Sequence, residues 1–282
     1  MKIINFVLIV FVCCNARQFK ELRNGPSEIE KFQNEYSNRI AFGESANIGD
    51  FSHMLAMISA TTEVFVCGAS AIHKLWAITA AHCVASLHPY RVKFRGGSAK
   101  RQSGGSIFII ENFWIHHQYD DWRLAFDIAV VKVSDSTPIE GINIKPIGLP
   151  SSCDALCCGV CTGVEVTALG WGLNENVLDP ENLSKITTPV FDHENCKHMW
   201  INSAYRLSLG PDYFCQTVNE GKGTCRGDSG SPIIIGENQN KIQVGIVSFG
   251  TYTCGEAVSL PSGFLRLEYS PIRNWIKRMT GV

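Results

Sequence analysis

Residues 224–232 read TCRGDSGSP and set a serine among small and acidic neighbours. Gly, Asp and Ser are common turn formers, so a polar turn alone accounts for the composition. The chemical reading is narrower: Ser229 is a nucleophile held on a tight loop with backbone N–H groups around it. A serine hydroxyl is weakly nucleophilic at neutral pH and needs a base, itself oriented by a third group. Candidates lie upstream. WAITAAHC (76–83) puts His82 directly after an apolar run, and DIAVVKV (127–133) puts Asp127 at the mouth of another. An unpaired carboxylate there would be costly, so Asp127 calls for a partner. Taken together, His82, Asp127 and Ser229 are the three groups that base-assisted acyl transfer requires.

Such a constellation needs a rigid scaffold. Short apolar runs punctuated by Gly, Pro, Asn and Asp dominate the chain: Ser70–Ala77, Ser106–Trp114, Ile128–Val133, Val164–Leu169, Pro232–Gly236 and Gln243–Phe249. They have strand length and are rich in Val, Ile and Phe. Helical spacing is clear only at the end, where Ser270-Pro271 precedes Ile272, Trp275, Ile276 and Met279. The expectation is an all-β body with one C-terminal helix over about 270–281. Residues 1–16 carry one lysine and then a short apolar run ending in Ala16, too short to span a bilayer and patterned as a secretory signal peptide. Residues 17–39 are mostly charged or polar and lack cysteine, as expected of a mobile leader. The 25 Lys and Arg nearly balance the 26 Asp and Glu, and no basic stripe points to nucleic acid. No stretch is long and apolar enough to predict a membrane helix. Ten of the twelve cysteines follow residue 16, an even number that reads as a disulfide framework in an exported chain.

TAAHC, DIAVVKV, GWG at 170–172 and GDSG at 227–230 stand in one order and at suitable spacing. Through these motifs the chain resembles trypsin/chymotrypsin-type serine proteases over residues 40–282, and arthropod members in its PSGF stretch at 261–264. The resemblance implies two six-stranded antiparallel β-barrels, about 40–150 and 162–269, with the active site between them. His82 and Asp127 would come from the first barrel and Ser229 from the second. Gly227 and Ser229 would supply the oxyanion-hole N–H groups. Cleavage between Arg39 and Ile40 by a trypsin-like activator would free an ammonium that pairs with Asp228. That pairing makes residues 17–39 an activation propeptide. The implied disulfides are Cys67–Cys83, Cys196–Cys215 and Cys225–Cys254, with Val166 and Ile235 standing where many members have a further bridge. Cys153, Cys157, Cys158 and Cys161 crowd into CDALCCGVC, which favours disulfides over zinc and leaves three connectivities open.

By the same resemblance the specificity pocket has Gly223 at its base, Thr224 and Ser248-Phe249-Gly250 as walls, Ser262 opposite and Arg226 at the rim. Neither Gly223 nor Ser262 carries a charge, so the pocket should take a large uncharged side chain rather than Lys or Arg. Glu256 lies in a long loop and is the one nearby carboxylate that could reverse this. The expectation is a secreted, monomeric endopeptidase made as a zymogen. It would have chymotrypsin-like preference, act on protein or peptide substrates, be subject to protein protease inhibitors, and need no cofactor or metal. Elastase-like or collagenolytic cleavage and an inactive protease-like binding protein are the alternatives. The family's calcium loop would fall near Arg95–Gly105, but residues 91–110 hold no Asp or Glu to ligate the ion.

Overall fold

In the computed structural model, residues 43–155, 158–173, 181–217, 223–251 and 260–282 are described. The expected signal and leader segments, Arg39, Ile40, Cys157, Cys254 and Glu256 lie outside the described residues. Strands β2 (Met54–Ser59), β3 (Phe65–His73), β4 (Trp76–Thr79), β5 (Val92–Gly96), β6 (Ser106–Ile115) and β7 (Ala129–Val133) close into an antiparallel barrel in the order β2-β3-β4-β7-β6-β5. A second barrel comprises β8 (Glu165–Gly170), β9 (Ser184–Phe191), β10 (Tyr213–Gln216), β11 (Pro232–Ile235), β12 (Ile242–Phe249) and β13 (Gly263–Arg266). Its order is β9-β10-β13-β12-β11-β8, and the β8–β9 pairing closes it. The short β1 (Glu44–Ser45) adds to the outer flank of β9, with Glu44 opposite Lys185. All the ladders among these strands are antiparallel, as expected.

Alternation of side chains on the two faces of a pleated strand explains why such short segments hold. In β9, SKITTPVF, the buried positions are Ser184, Ile186, Thr188 and Val190. The first core gathers Leu55, Met57, Phe94, Phe108 and Val131 inside the first barrel, and Ile272, Trp275 and Ile276 join the same cluster. Those three belong to a C-terminal helix over Ser270–Thr280, which begins with Pro271 in its first turn and stops at Gly281 in a left-handed cap. A further cluster joins Met54, Ala56 and Ile58 of β2 to Leu169, Trp171 and Ile234, fastening the two barrels together. No helix among the described residues is long and apolar enough to cross a membrane.

Two expectations need correction. Ser70–Ala77, read as one strand, is a hairpin: β3 ends at His73, Lys74 and Leu75 turn, and β4 starts at Trp76. The turn holds no Gly, Pro, Asn or Asp, so the usual markers of a break are missing. A helix was also missed: α1 spans His193–Ile201, and the C-terminal helix is therefore α2. Only Cys196 and Trp200 of α1 are buried, four residues apart, so its periodicity is faint. Asp192 caps it by accepting a hydrogen bond from Asn195 N at 2.9 Å, and that signal was present in the sequence.

Disulfides join Cys67 to Cys83, Cys196 to Cys215 and Cys153 to Cys158. Cys161 and Cys225 are also disulfide-bonded. Val166 and Ile235 pack into one apolar cluster where a further bridge was expected to be missing. The cysteine-rich insertion is stitched to the end of the second barrel: Cys153 N donates to Glu268 O at 2.7 Å, and Ser270 N to Cys153 O at 3.1 Å. Beneath it, buried Arg266 bonds Glu268 at 2.9 Å and Val160 O at 3.1 Å. In the stretch where the family's calcium loop would fall, the guanidinium of Arg95 holds Gly104 O at 2.5 Å.

Candidate active site

Strand β4 ends at Thr79, and the single 3-10 turn Ala81–Cys83 that follows carries His82. The Cys67–Cys83 bridge ties that turn to β3. Asp127 lies two residues before β7, which pairs with β4, so adjacent strands deliver both side chains to one edge of the barrel. Asp127 is fully buried and grips His82 twice, accepting from the backbone N at 2.9 Å and from Nδ1 at 2.7 Å. The grip fixes the ring and places a proton on Nδ1, leaving Nε2 as the basic nitrogen. The His82 side chain stays 27% exposed, enough to meet a substrate. Burial alone would lower the His82 pKa, but the Asp127 charge and hydrogen bond outweigh it and raise the value above 6.5. For Asp127, burial pushes up, while His82 and the donors from His82 and Ser248 hold the carboxyl below its usual range.

The second barrel clamps this pair. Ser248 Oγ donates to Asp127 Oδ2 at 2.6 Å and lies 3.3 Å from the Tyr213 hydroxyl, which donates to Leu124 O. Asp212 Oδ2 accepts from Phe126 N at 2.9 Å. Leu124 and Phe126 both have φ of 51°, a left-handed conformation unfavourable to such side chains, so the loop entering Asp127 depends on these bonds. Sequence reasoning gave Ser248 a role only in the pocket and missed Asp212 and Tyr213. Their partners are remote in sequence, and no local motif marks them.

The Ser229 loop docks on the same barrel edge. Gly68 N, one residue from Cys67, donates to Ser229 O at 2.8 Å. Gly230 has φ of 80°, and a Cβ on it would stand 2.3 Å from Thr79 Oγ1 and 2.4 Å from Gly68 O. Only glycine permits this approach. Gly227 likewise has φ of 95°. Among the described residues, the N–H groups of Gly227 and Ser229 donate to nothing, whereas Asp228 N between them is tied to Cys225 O at 3.0 Å. No hydrogen bond joins Ser229 Oγ to His82 among the described residues. The fully buried Asp228 carboxylate accepts from Gly172 N and Cys225 N, both at 2.8 Å. With no cation bonded to it among the described residues, burial pushes its pKa up to about 7 despite those two donors.

Beside this loop lie the expected pocket residues. Gly223 and Ser262 are buried, Thr224 half-buried and Arg226 exposed. Gly250 faces Ser262, whose Oγ would be 3.2 Å from a Cβ at 250. Phe249 turns its ring onto Trp200 and Tyr213, with centroids 5.0 and 5.2 Å away, and over Gly263. It therefore lends backbone to this wall while its side chain packs elsewhere. Cys67, His82 and Cys83 bring potential metal-binding atoms within 4.8 Å, but both sulfurs are consumed in one disulfide.

The trypsin family model matches residues 40–276. Brachyurin of Leptuca pugilator is 28% identical over 246 residues, covering 86% of this chain and 99% of that protein. Chymotrypsin-2 of Vespa crabro is 31% identical over 213 residues, 75% of this chain and 88% of its own. Trypsin of Saccharopolyspora erythraea is 30% identical over 214 residues, 75% of this chain and 86% of its own. A family match spanning both barrels, on a fold that gathers histidine, aspartate and a serine loop at one edge, makes this chain a member of the trypsin family of serine endopeptidases.

Proposed function

We propose that the protein is a secreted endopeptidase, made as a zymogen, that cleaves proteins after large uncharged side chains through a Ser229–His82–Asp127 acyl-enzyme mechanism. The observation that carries this reading is the double grip of buried Asp127 on His82, which leaves Nε2 as the basic nitrogen of a ring that is still partly exposed. In the proposed reaction Ser229 Oγ attacks the scissile carbonyl as its proton passes to His82 Nε2. Asp127 stabilises the resulting imidazolium without itself taking the proton. The oxyanion is received by the free N–H groups of Gly227 and Ser229, each worth about 3 kcal/mol in such a site. The tetrahedral adduct then collapses, the C–N bond breaks, and His82 returns the proton to the leaving amine. Water, deprotonated in turn by His82, releases the acyl group by the same route. The Ser229–His82 hydrogen bond is the contact that substrate binding has to close, as catalytic hydrogen bonds commonly tighten on complex formation.

Activation is assigned to Asp228. Its buried carboxylate has two backbone donors, and an α-ammonium freed at Ile40 by a trypsin-like protease cutting after Arg39 would neutralise it. Residues 1–16 are read as the export signal and 17–39 as the propeptide, so the mature enzyme acts outside the cell as a monomer open to protein inhibitors. The test is a cleavage profile on a mixed peptide library after trypsin treatment, beside a Ser229→Ala control. Cuts after Phe, Tyr or Leu that vanish in the control are the expected result. Cuts mainly after Arg or Lys would refute the uncharged pocket. Silence with Ile40 confirmed as the new N-terminus would favour an inactive binding protein.

A further inference from the structure

Asn182-Leu183-Ser184 is the one Asn-X-Ser/Thr triplet in the sequence, the acceptor pattern for N-linked sugar in exported chains. The sugar is bulky and polar, so the fold has to leave that asparagine amide in solvent. Strand pairing just ahead of β9 does so. Leu183 N donates to Ala99 O at 2.7 Å and Arg101 N to Glu181 O at 3.0 Å, which makes Lys100 and Asn182 directly opposed partners. Opposed residues of an antiparallel pair send their side chains to one face, and their neighbours send theirs to the other. Here the neighbours turn inward. Leu183 is fully buried in the cluster of Leu169 and Trp171, Ala99 packs against that cluster, and buried Arg101 lies over the Phe65 ring at 5.0 Å. Asn182 therefore shares the outer face with Lys100, whose side chain is 55% exposed. No hydrogen bond holds its carboxamide among the described residues.

We propose that Asn182 carries an N-linked glycan in the secreted protein. This rests on the export reading given above, because the sugar donor, a lipid-diphosphate-linked oligosaccharide, belongs to the secretory route. In the transfer the Asn182 amide nitrogen bonds to the anomeric carbon of the sugar. The bond from that carbon to the diphosphate oxygen breaks, the amide gives up one proton, and the lipid diphosphate leaves. Ser184 supports the assignment from the other end of the triplet. It is 2% exposed and paired with Ser45 on one side and Gly170 on the other, yet its Oγ has no hydrogen-bond partner. A buried hydroxyl without a partner costs stability, so no structural bond accounts for a serine here. The acceptor triplet does. Because that hydroxyl is covered in the finished barrel, the sugar is attached before β9 pairs with β1 and β8.

The test is expression of the full chain in a eukaryotic secreting host, with the protein in the medium weighed by mass spectrometry before and after peptide:N-glycosidase treatment. Wild type should lose mass on treatment and show Asn182→Asp in the peptide that contains it, the trace left when a glycan is cut from its amide. Asn182→Gln should be secreted at the unglycosylated mass. Ser184→Ala should lose the glycan as completely while keeping Asn182. Its melting temperature should not fall below that of deglycosylated wild type, because the hydroxyl it removes bonds nothing. Secreted wild type with an unmodified Asn182 would overturn the inference and leave the export reading standing. A chain that stays inside the host without sugar would overturn both. Should Asn182→Gln not fold, the wild-type spectrum and Ser184→Ala still decide.

Discussion

At Asp127 one carboxylate accepts three hydrogen bonds, from His82 N, His82 Nδ1 and Ser248 Oγ. Replacing it with Asn leaves the shape but offers His82 an amide donor in place of an acceptor, which turns the ring to the wrong tautomer. Asp127→Asn should lower kcat about 10⁴-fold, the loss seen when a serine triad's aspartate is so changed. Steady-state kinetics on folded variant checks this. In the proposed mechanism the same pair sets the acid limb of activity. His82 must be neutral to accept the Ser229 proton, and its pKa is raised by Asp127. Activity should therefore fall as pH falls through a value above 6.5, and a limb centred below 6.5 in kcat/KM would contradict that direction.

The loop before β7 is shaped from outside its own barrel. Asp212, just ahead of β10, holds Phe126 N, and Tyr213 at the start of β10 holds Leu124 O. These make Asp212 a positioning residue for Asp127. Asp212→Ala should lower kcat about 10-fold with little change in KM, because misplacing a catalytic group costs rate rather than binding. Asp212→Asn keeps a carbonyl acceptor and should restore most of the loss. Were KM alone to rise, a role in substrate binding would replace this one. Tyr213→Phe removes the donor from the part-buried Leu124 carbonyl, and denaturant titration should show a loss of about 1 kcal/mol.

Across the whole molecule, pH acts through buried groups that meet no substrate. Burial, helped by Lys241, holds His53 neutral with a pKa lowered to about 3. His116, stacked on Phe126 with its ring 4.8 Å away, is lowered to about 4, chiefly by burial. Both imidazoles take up protons more readily unfolded than folded, so their contribution is complete above pH 6.5 and drains away as pH falls towards 3–4. Thermal melts of the Ser229→Ala protein should fall steeply over that window, and His53→Phe should soften the slope. Asp228 acts in the opposite sense. In the uncleaved chain it favours the protonated form up to about pH 7, so stability drops as pH rises from 3.8 to that value. An ammonium partner would reverse the sign, and cleavage after Arg39 should raise the melting temperature at pH 8 more than at pH 5.

The sequence by itself determined the family, the barrel class and the order His82, Asp127, Ser229, because each rests on short motifs whose residue types do chemistry or turn tightly within a few positions. The glycine at 227 was legible for the same reason, and its left-handed φ is a conformation that admits little else. Helix α1 and the Lys74-Leu75 turn were not legible, since one buries only two side chains and the other carries none of the usual turn formers. What the tertiary structure alone decided is how distant residues meet. Asp212 and Tyr213 stand 86 and 89 positions from the loop atoms they hold, and Ser248 stands 121 from Asp127. Gln216 N meets Ser262 O across the same barrel. Pairings of that kind depend on barrel closure and strand register, which no local spacing encodes.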